Sequence, residues 1–267
     1  MSDIVVEIAG GVAKVTIARP ETMNALREAA FHDLGRALAD LAADEAVRAL
    51  VLTGSGRAFC SGADLSDPMM GGHLPPEQRP AETIKTLGGV MNPVILALRD
   101  APFPTVSAVN GIAAGGGVGL ALASDMVLAA RSAKFILAFT PKLGLIPDLG
   151  SSWHIARHLG RARAMGMMLT GEPVSAERAE ALGLIWKAVD DADLEQESMS
   201  LAERLAAGPK RGQAAARALL DAAFVNDFAA QLDAERDAQA SLVSGEEVLE
   251  ALAAFAEKRK PDFVGKA

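Results

Sequence analysis

The first part of the chain carries short apolar runs and one segment with helical spacing. Residues 4–8 and 12–17 are β-rich runs separated by a Gly-Gly pair, which predicts a hairpin. A helix is expected next, with Asn24 as its N-cap and an end near residue 43. The continuous apolar run at 47–53 has the length of a buried strand.

The middle of the chain continues this alternation. Residues 54–80 are rich in Gly, Pro and Ser and are expected to form a long loop, which in a compact protein is often functional. A helix is predicted over 81–99 and buried strands over 103–109 and 126–130, with a helix opening at Gly115 between the strands.

The last third is almost entirely helical in pattern, apart from one strand at 185–189. The expected helices are 148–158, 160–170, 175–182, 193–206, 209–224, and 226–258 with a break at Gly245. Strands that alternate with helices, followed by helices alone, predict an α/β core with a helical C-terminal region. We place the core and its site in residues 1–195 and the helical region in 196–267.

Composition narrows the classes of protein. The 267 residues carry a net charge of −8 and no Lys/Arg cluster that resembles a nucleic-acid footprint, which argues against nucleic-acid binding. With one cysteine, Cys60, no disulfide can form within the chain, and no metal site is expected. The N-terminus lacks the features of a signal peptide, and glycines and Asp125 interrupt the most apolar stretch, 111–130. We therefore expect a cytoplasmic protein that does not enter the membrane.

Two glycine-rich turns, 58–65 and 109–120, each follow an expected buried strand. Glycine lets the backbone approach a ligand closely, and a helix N-terminus presents unpaired N–H groups. Two such groups that converge on one oxygen would form an oxyanion hole. Tight strand–helix packing is the alternative. A dinucleotide site and a P-loop both fail, because neither G-x-G-x-x-G nor Gly-Lys-Ser/Thr occurs.

Together the two turns resemble the paired signature of the enoyl-CoA hydratase/isomerase (crotonase) superfamily. Residues 58–65 match its A-F-x-x-G-x-D-[LI] segment, and 110–125 match N-G-x-x-x-G-G-[GA] with the helix that follows. The turn at 24–26 and the tail at 254–259 also fit. The resemblance implies a spiral of ββα turns with a helical C-terminal trimerisation region, in a trimer or a dimer of trimers.

The resemblance also implies an acyl-CoA substrate, so that coenzyme A arrives with the substrate and no separate cofactor is expected. The oxyanion-hole N–H groups would belong to Ala63 and Gly116, and Asp64 would hold the turn that aims the first of them. Residues expected to line the acyl-CoA site are Ala25, Gly62, Asp64, Leu65 and Gly115. By the same resemblance, Arg27 would supply a cation for the phosphates of coenzyme A. Phe255 and Lys258 would reach the coenzyme A bound to a neighbouring subunit.

The two glutamates that hydratases of this superfamily share are missing. Their positions read Gly119 and Thr140, which would line the acyl pocket without supplying a carboxylate. Ordinary two-glutamate hydration is therefore not expected.

Asp148 is the next acid along the chain, after an Ile-Pro pair at the start of an expected helix. It is either an N-cap or a base with a raised pKa. Residues 143–191 resemble the ring 1,2-epoxyphenylacetyl-CoA isomerase subfamily of bacterial phenylacetate breakdown, in which this aspartate is the catalytic acid/base. That implies isomerisation of the ring epoxide, or of 3-enoyl-CoA to 2-enoyl-CoA as in fatty acid metabolism. A hydratase of the same fold and a catalytically silent acyl-CoA-binding subunit remain the alternatives.

Overall fold

The computed structural model describes residues 2–266, and its larger sheet has six strands. Their order across the sheet is β1-β2-β3-β5-β7-β10. These strands are β1 (Ile4–Ala9), β2 (Val12–Ile17), β3 (Ala49–Gly54), β5 (Thr105–Val109), β7 (Met126–Ala130) and β10 (Lys187–Val189). The first two form the expected antiparallel hairpin, and every other pairing in this sheet is parallel.

A second sheet of four short strands runs beside the first, in the order β4-β6-β8-β9. It contains β4 (Ala58–Cys60), β6 (Ile112–Ala114), β8 (Lys134–Ile136) and β9 (Val174–Ser175). The strands β4, β6 and β8 each follow a strand of the larger sheet, so the chain adds one strand to each sheet as it winds. This is the expected α/β spiral, although the sequence pattern did not reveal these two- and three-residue strands.

The number and the positions of the helices agree closely with the sequence pattern, whereas the residues at which they begin and end agree less well. They are α1 (Glu28–Ala43), α2 (Arg79–Thr86), α3 (Asn92–Arg99), α4 (Gly116–Leu122), α5 (Ser151–Thr170), α6 (Ala176–Ala181), α7 (Leu194–Ala206), α8 (Lys210–Ala222), α9 (Phe228–Leu242) and α10 (Glu246–Glu257). A π-helical turn at Leu87–Met91 separates α2 from α3, where one helix over 81–99 was expected. The break between 158 and 160 is a kink inside α5 at Gly160, where φ is 71°.

The prediction that Asn24 caps the first helix is wrong. Helix α1 begins at Glu28, and Asn24 lies before it in the left-handed region with φ of 57°. Its buried amide accepts from the Arg19 N–H at 2.9 Å and donates to the Ala58 carbonyl at 2.7 Å. Because a buried side-chain amide must find such partners, Asn24 ties this turn to the start of β4 instead.

Helix α7 packs against β2, β3, β5 and β7, so it belongs to the layer that covers the larger sheet. Helix α8 is fixed to the core by Arg217, whose Nε donates to Asp125 at 2.7 Å and whose Nη2 donates to the Arg99 carbonyl at 2.8 Å. Asp125 also accepts from the Thr105 N–H at 2.8 Å and is a structural residue. Across residues 2–266, no helix combines the length and apolar character needed to cross a bilayer.

Candidate active site

The two glycine-rich turns meet because β4 and β6 are adjacent parallel strands, with Ala58 opposite Ile112. Parallel strands end at the same edge of a sheet, so the turns that follow them lie side by side. Gly62 adopts φ of 96°, and a β-carbon on it would stand 3.1 Å from the Gly116 nitrogen. The backbone at Gly62 therefore approaches Gly116 this closely because Gly62 has no side chain.

Packing alone also requires glycine at the start of α4. A β-carbon on Gly117 would lie 2.2 Å from the Cys60 carbonyl oxygen, far inside van der Waals contact. Gly115 caps the helix with φ of 55°, a conformation that L-residues rarely adopt. Tight packing of these turns is therefore compatible with the oxyanion-hole hypothesis, since the packing brings backbone donors to one edge of the sheet.

Two backbone N–H groups are available at this edge. Ala63 is held by a short bridge to Leu26, in which Leu26 donates to Gly62 at 2.8 Å and receives from the Asp64 N–H at 2.9 Å. Within residues 2–266, the Ala63 N–H donates to no protein acceptor. Gly116 is the first residue of α4, where an N–H has no partner inside the helix. The helix dipole adds partial positive charge at that end.

Asp64 fixes the turn that carries Ala63. Its carboxylate accepts from the Ser66 hydroxyl at 2.6 Å and from Arg19 at 3.2 Å. The Ser66 hydrogen bond, with the nearby Arg19 charge, holds the pKa of Asp64 below its usual value. The carboxylate is therefore ionised and engaged at neutral pH, which suits a structural part better than proton transfer.

The Asp148 carboxyl lies close to Gly116. Its Oδ1 is 3.5 Å from the point where a β-carbon on Gly116 would stand. Burial raises the pKa of Asp148 from 3.8 to about 6, because the charged form loses water. A carboxyl with a pKa near neutrality can both accept and return a proton.

The interpretation of Asp148 as an N-cap is wrong. The N-cap of α5 is Gly150, and no side chain caps that helix. The Ser151 N–H donates to the backbone carbonyl of Asp148 at 2.9 Å, which leaves the side-chain carboxyl free of this task.

Gly119 and Thr140, which were expected to line the acyl pocket, each contact neighbouring protein atoms. A β-carbon on Gly119 would lie 2.3 Å from the Leu149 carbonyl oxygen and 2.8 Å from the Ser151 hydroxyl. Gly119 is therefore covered by the segment after Asp148. The Thr140 hydroxyl donates to the Leu145 carbonyl at 3.0 Å inside a π-helical turn, Phe139–Leu143, and so stabilises that turn.

The residues expected to bind coenzyme A have different surroundings. Arg27 forms a two-pronged pair with Asp3, at 2.6 and 3.0 Å, and this pair raises the pKa of Arg27. Phe255 is 86% exposed on α10, and Lys258 ends that helix in the left-handed region with φ of 56°. Of the turn residues, Ala25 is buried with its carbonyl bonded to Arg19, whereas Leu65 is exposed.

Sequence reasoning missed two side chains that border the turns. The Phe139 ring comes within 3.5 Å of the β-carbon position at Gly115, and a Leu149 methyl within 2.7 Å of that at Gly116. Their positions next to Thr140 and Asp148 in sequence were the available signal. Leu143, Leu145 and Ile146, which lie between these two residues in the chain, have exposed apolar side chains.

Other candidate groups are structural. Burial raises the pKa of the Cys60 thiol to about 12, so it is no nucleophile at neutral pH. His154 and His158 lie ring to ring, 5.9 Å apart, and the described residues contain no cluster of ligands for a metal ion.

Comparison with known proteins identifies the family. The sequence model of the family described as Enoyl-CoA hydratase/isomerase matches residues 7–266. A protein of Rhodobacter capsulatus named probable enoyl-CoA hydratase is 46% identical over 97% of both chains. The 1,2-epoxyphenylacetyl-CoA isomerase of Escherichia coli is 40% identical over 100% of both. The crystal structure of an enoyl-CoA hydratase from Bacillus anthracis superposes with a TM-score of 0.90 at 31% identity, covering 98% of this chain and 99% of that one.

Proposed function

Because the chain belongs to the enoyl-CoA hydratase/isomerase family, we propose that this enzyme isomerises an acyl-CoA with Asp148 as its acid–base group. The observation that carries the proposal is the place of the Asp148 carboxyl against Gly116, with its pKa raised to about 6 by burial. Relatives named as hydratase and as isomerase are both similar to this chain, so the argument rests on the site.

In the proposed reaction the thioester oxygen accepts hydrogen bonds from the N–H groups of Ala63 and Gly116. Asp148 removes a proton from the carbon next to the thioester, and the electron pair moves onto that oxygen. Fixed dipoles stabilise the developing charge without having to reorganise. Asp148 then returns the proton to the far end of the conjugated system, which converts a 3-enoyl into a 2-enoyl thioester.

A second substrate is favoured by the likeness to 1,2-epoxyphenylacetyl-CoA isomerase along the full length of the chain. With 2-(1,2-epoxy-1,2-dihydrophenyl)acetyl-CoA, the same two N–H groups would polarise the thioester while the epoxide ring opens. The Phe139 ring at Gly115 offers an apolar wall beside the thioester site that suits a ring-bearing acyl group.

Hydration is disfavoured by the surroundings of Gly119. The Leu149 carbonyl fills the space that a side chain there would need, so a glutamate could not enter without moving the Asp148 segment. A silent acyl-CoA-binding subunit is disfavoured by Asp148, since binding alone does not require a partly buried acid with a raised pKa.

A turnover screen tests the proposal. Purified protein is offered 3-enoyl-CoA, 2-enoyl-CoA and the ring epoxide of phenylacetyl-CoA, and products are followed by liquid chromatography. We expect isomerisation of the first or third substrate to exceed hydration of the second by at least about 100-fold, the contribution of one positioned acid–base group. Comparable hydration would contradict the proposal, and the absence of turnover on all three would favour the silent subunit.

A further inference from the structure

The contact between Gly119 and Leu149 links helix α4 to the segment that carries Asp148. The Leu149 carbonyl oxygen lies 2.3 Å from the point where a β-carbon on Gly119 would stand. A carbon atom at that distance from an oxygen is excluded by sterics, so only glycine permits this approach. Both partners are backbone, and no rotation of a side chain could relieve the overlap.

The segment itself is bent in a way that depends on this contact. Leu149 adopts φ of 50°, which is uncommon for a residue with a side chain and costs free energy. Such a conformation persists where the surroundings impose it. Here the Leu149 side chain is buried against Gly116, and its carbonyl is buried against Gly119.

The two glycines lie three residues apart on α4, which is about one helical turn, and so share one face of it. Gly116 receives the Asp148 carboxyl and the Leu149 side chain, and Gly119 receives the Leu149 carbonyl. We propose that Gly119 is a positioning residue. Because Gly119 lacks a side chain, the Leu149 backbone packs directly against α4, and this contact, the seat of the segment on α4, holds Asp148 at the oxyanion hole. The inference rests on the proposed function, because it assumes that Asp148 is the acid–base group.

The seat also explains why Asp148 is partly buried. A segment lifted from α4 by the width of a methyl group would admit water to the carboxyl, and hydration lowers the pKa of a buried acid towards its ordinary value. Gly119 touches no substrate in this account. Its effect passes through Asp148, which separates it from a residue that binds the acyl chain.

Gly119→Ala is the direct test, with Gly166→Ala as the matched control. Gly166 lies in α5, and a β-carbon on it would meet nothing within 4 Å. We expect Gly119→Ala to lower kcat by about 100-fold, the loss that a displacement of roughly 1 Å can cause, with a smaller change in KM. The pH midpoint of kcat/KM should fall below that of the wild type, and amide hydrogen exchange over 145–151 should quicken. Gly166→Ala should match the wild type in all three.

Asp148→Asn, run in parallel, keeps the two proposals apart. If Asp148→Asn is inactive while Gly119→Ala keeps the wild-type kcat and pH midpoint, the positioning role is wrong and the proposed function stands. If Asp148→Asn stays active, the proposed function is wrong, and unchanged hydrogen exchange in Gly119→Ala would then overturn the seat as well.

Should Gly119→Ala fail to fold, as judged by its thermal transition, Leu149→Gly replaces it. Glycine adopts φ of 50° without strain and removes the side chain that holds the segment on Gly116. We expect a lower kcat and faster exchange over 145–151 than in the wild type. Wild-type values for both would overturn the proposal.

Discussion

Asp64 follows Ala63 in the chain and the Asp148 carboxyl lies against Gly116, and the pKa values of these two aspartates are shifted in opposite directions. Hydrogen bonds from Ser66 and the charge of Arg19 lower the pKa of Asp64. Burial without such partners raises that of Asp148 to about 6. Two aspartates therefore have different tasks at one site: the first holds the Ala63 turn, and the second is fitted for proton transfer.

The pH dependence of turnover should report Asp148. A base must be ionised in the free enzyme, so kcat/KM should rise with pH through a midpoint near 6, the pKa of Asp148 in the folded protein. Initial rates between about pH 4.5 and 8 measure the midpoint. A midpoint near 4, typical of a solvated aspartate, would show that the group responsible is not this buried carboxyl.

Asp148 should also make the protein less stable at high pH. In the unfolded chain it ionises near 3.8 and in the folded protein near 6, so the folded protein binds more protons between these values. Stability therefore falls as pH rises through this window, by up to roughly 3 kcal/mol for a shift of about two pKa units. Asp148→Asn, which stays neutral, should be more stable than the wild type at about pH 8 and equal to it near pH 3.5.

Urea unfolding of the two proteins at both pH values measures this difference. A difference in unfolding free energy that does not change with pH would contradict the raised pKa, since an Asn substitution that altered packing alone would act equally at both.

Asp64→Ala should weaken the oxyanion hole without removing it. The change deletes the acceptor of Ser66 and Arg19, so the Ala63 turn loses hydrogen bonds that each contribute about 1 kcal/mol net. We expect kcat to fall by roughly tenfold per 1.4 kcal/mol of lost transition-state stabilisation, with the pH midpoint unchanged. Steady-state rates across pH check this. A shifted midpoint would mean that Asp64 takes part in proton transfer.

The two turns of the candidate site could be predicted from the sequence, because they carry strong glycine signatures. The turns at 58–65 and 109–120 were found from their glycines and the runs before them, and the structure brings them together through β4 and β6. The sequence pattern did not predict the strands β4 and β6, since three residues are too few to show the alternation of apolar and polar positions that is typical of a strand. Their short length is what places both turns at one edge.

The parts that the sequence did not reveal depend on contacts between distant residues. Asn24 looked like an N-cap, but its buried amide bonds to the Ala58 carbonyl, and no local pattern shows that. Gly119 was expected to line the acyl pocket, and no local pattern shows that the Leu149 carbonyl packs against it. The alternative that Asp148 is an N-cap arose because it precedes a helix, whereas the N-cap of α5 is Gly150 and no side chain caps that helix.

Assembly is expected from the outer surface of the C-terminal helices. Large apolar side chains that are more than half exposed there include Leu220, Phe224, Val225, Phe228, Leu249, Leu252 and Phe255. Such a surface on a monomer would be an association site. We expect a trimer or a dimer of trimers by light scattering, and a shift towards monomer in Phe228→Asp, whose side chain is 79% exposed. A stable wild-type monomer at micromolar concentration would refute this expectation.

The part played by Asp148 is tested most directly by kcat for isomerisation in Asp148→Asn, with Thr140→Ala as the control. The amide keeps the size of the side chain but cannot accept and return a proton, so we expect kcat to fall by about 10²–10⁴-fold while coenzyme A still binds. Thr140→Ala should keep kcat within about fivefold, because its hydroxyl bonds to the Leu145 carbonyl and neutral hydrogen bonds of this kind contribute about 1 kcal/mol. Near-normal turnover in Asp148→Asn would contradict the proposal that Asp148 is the acid–base group.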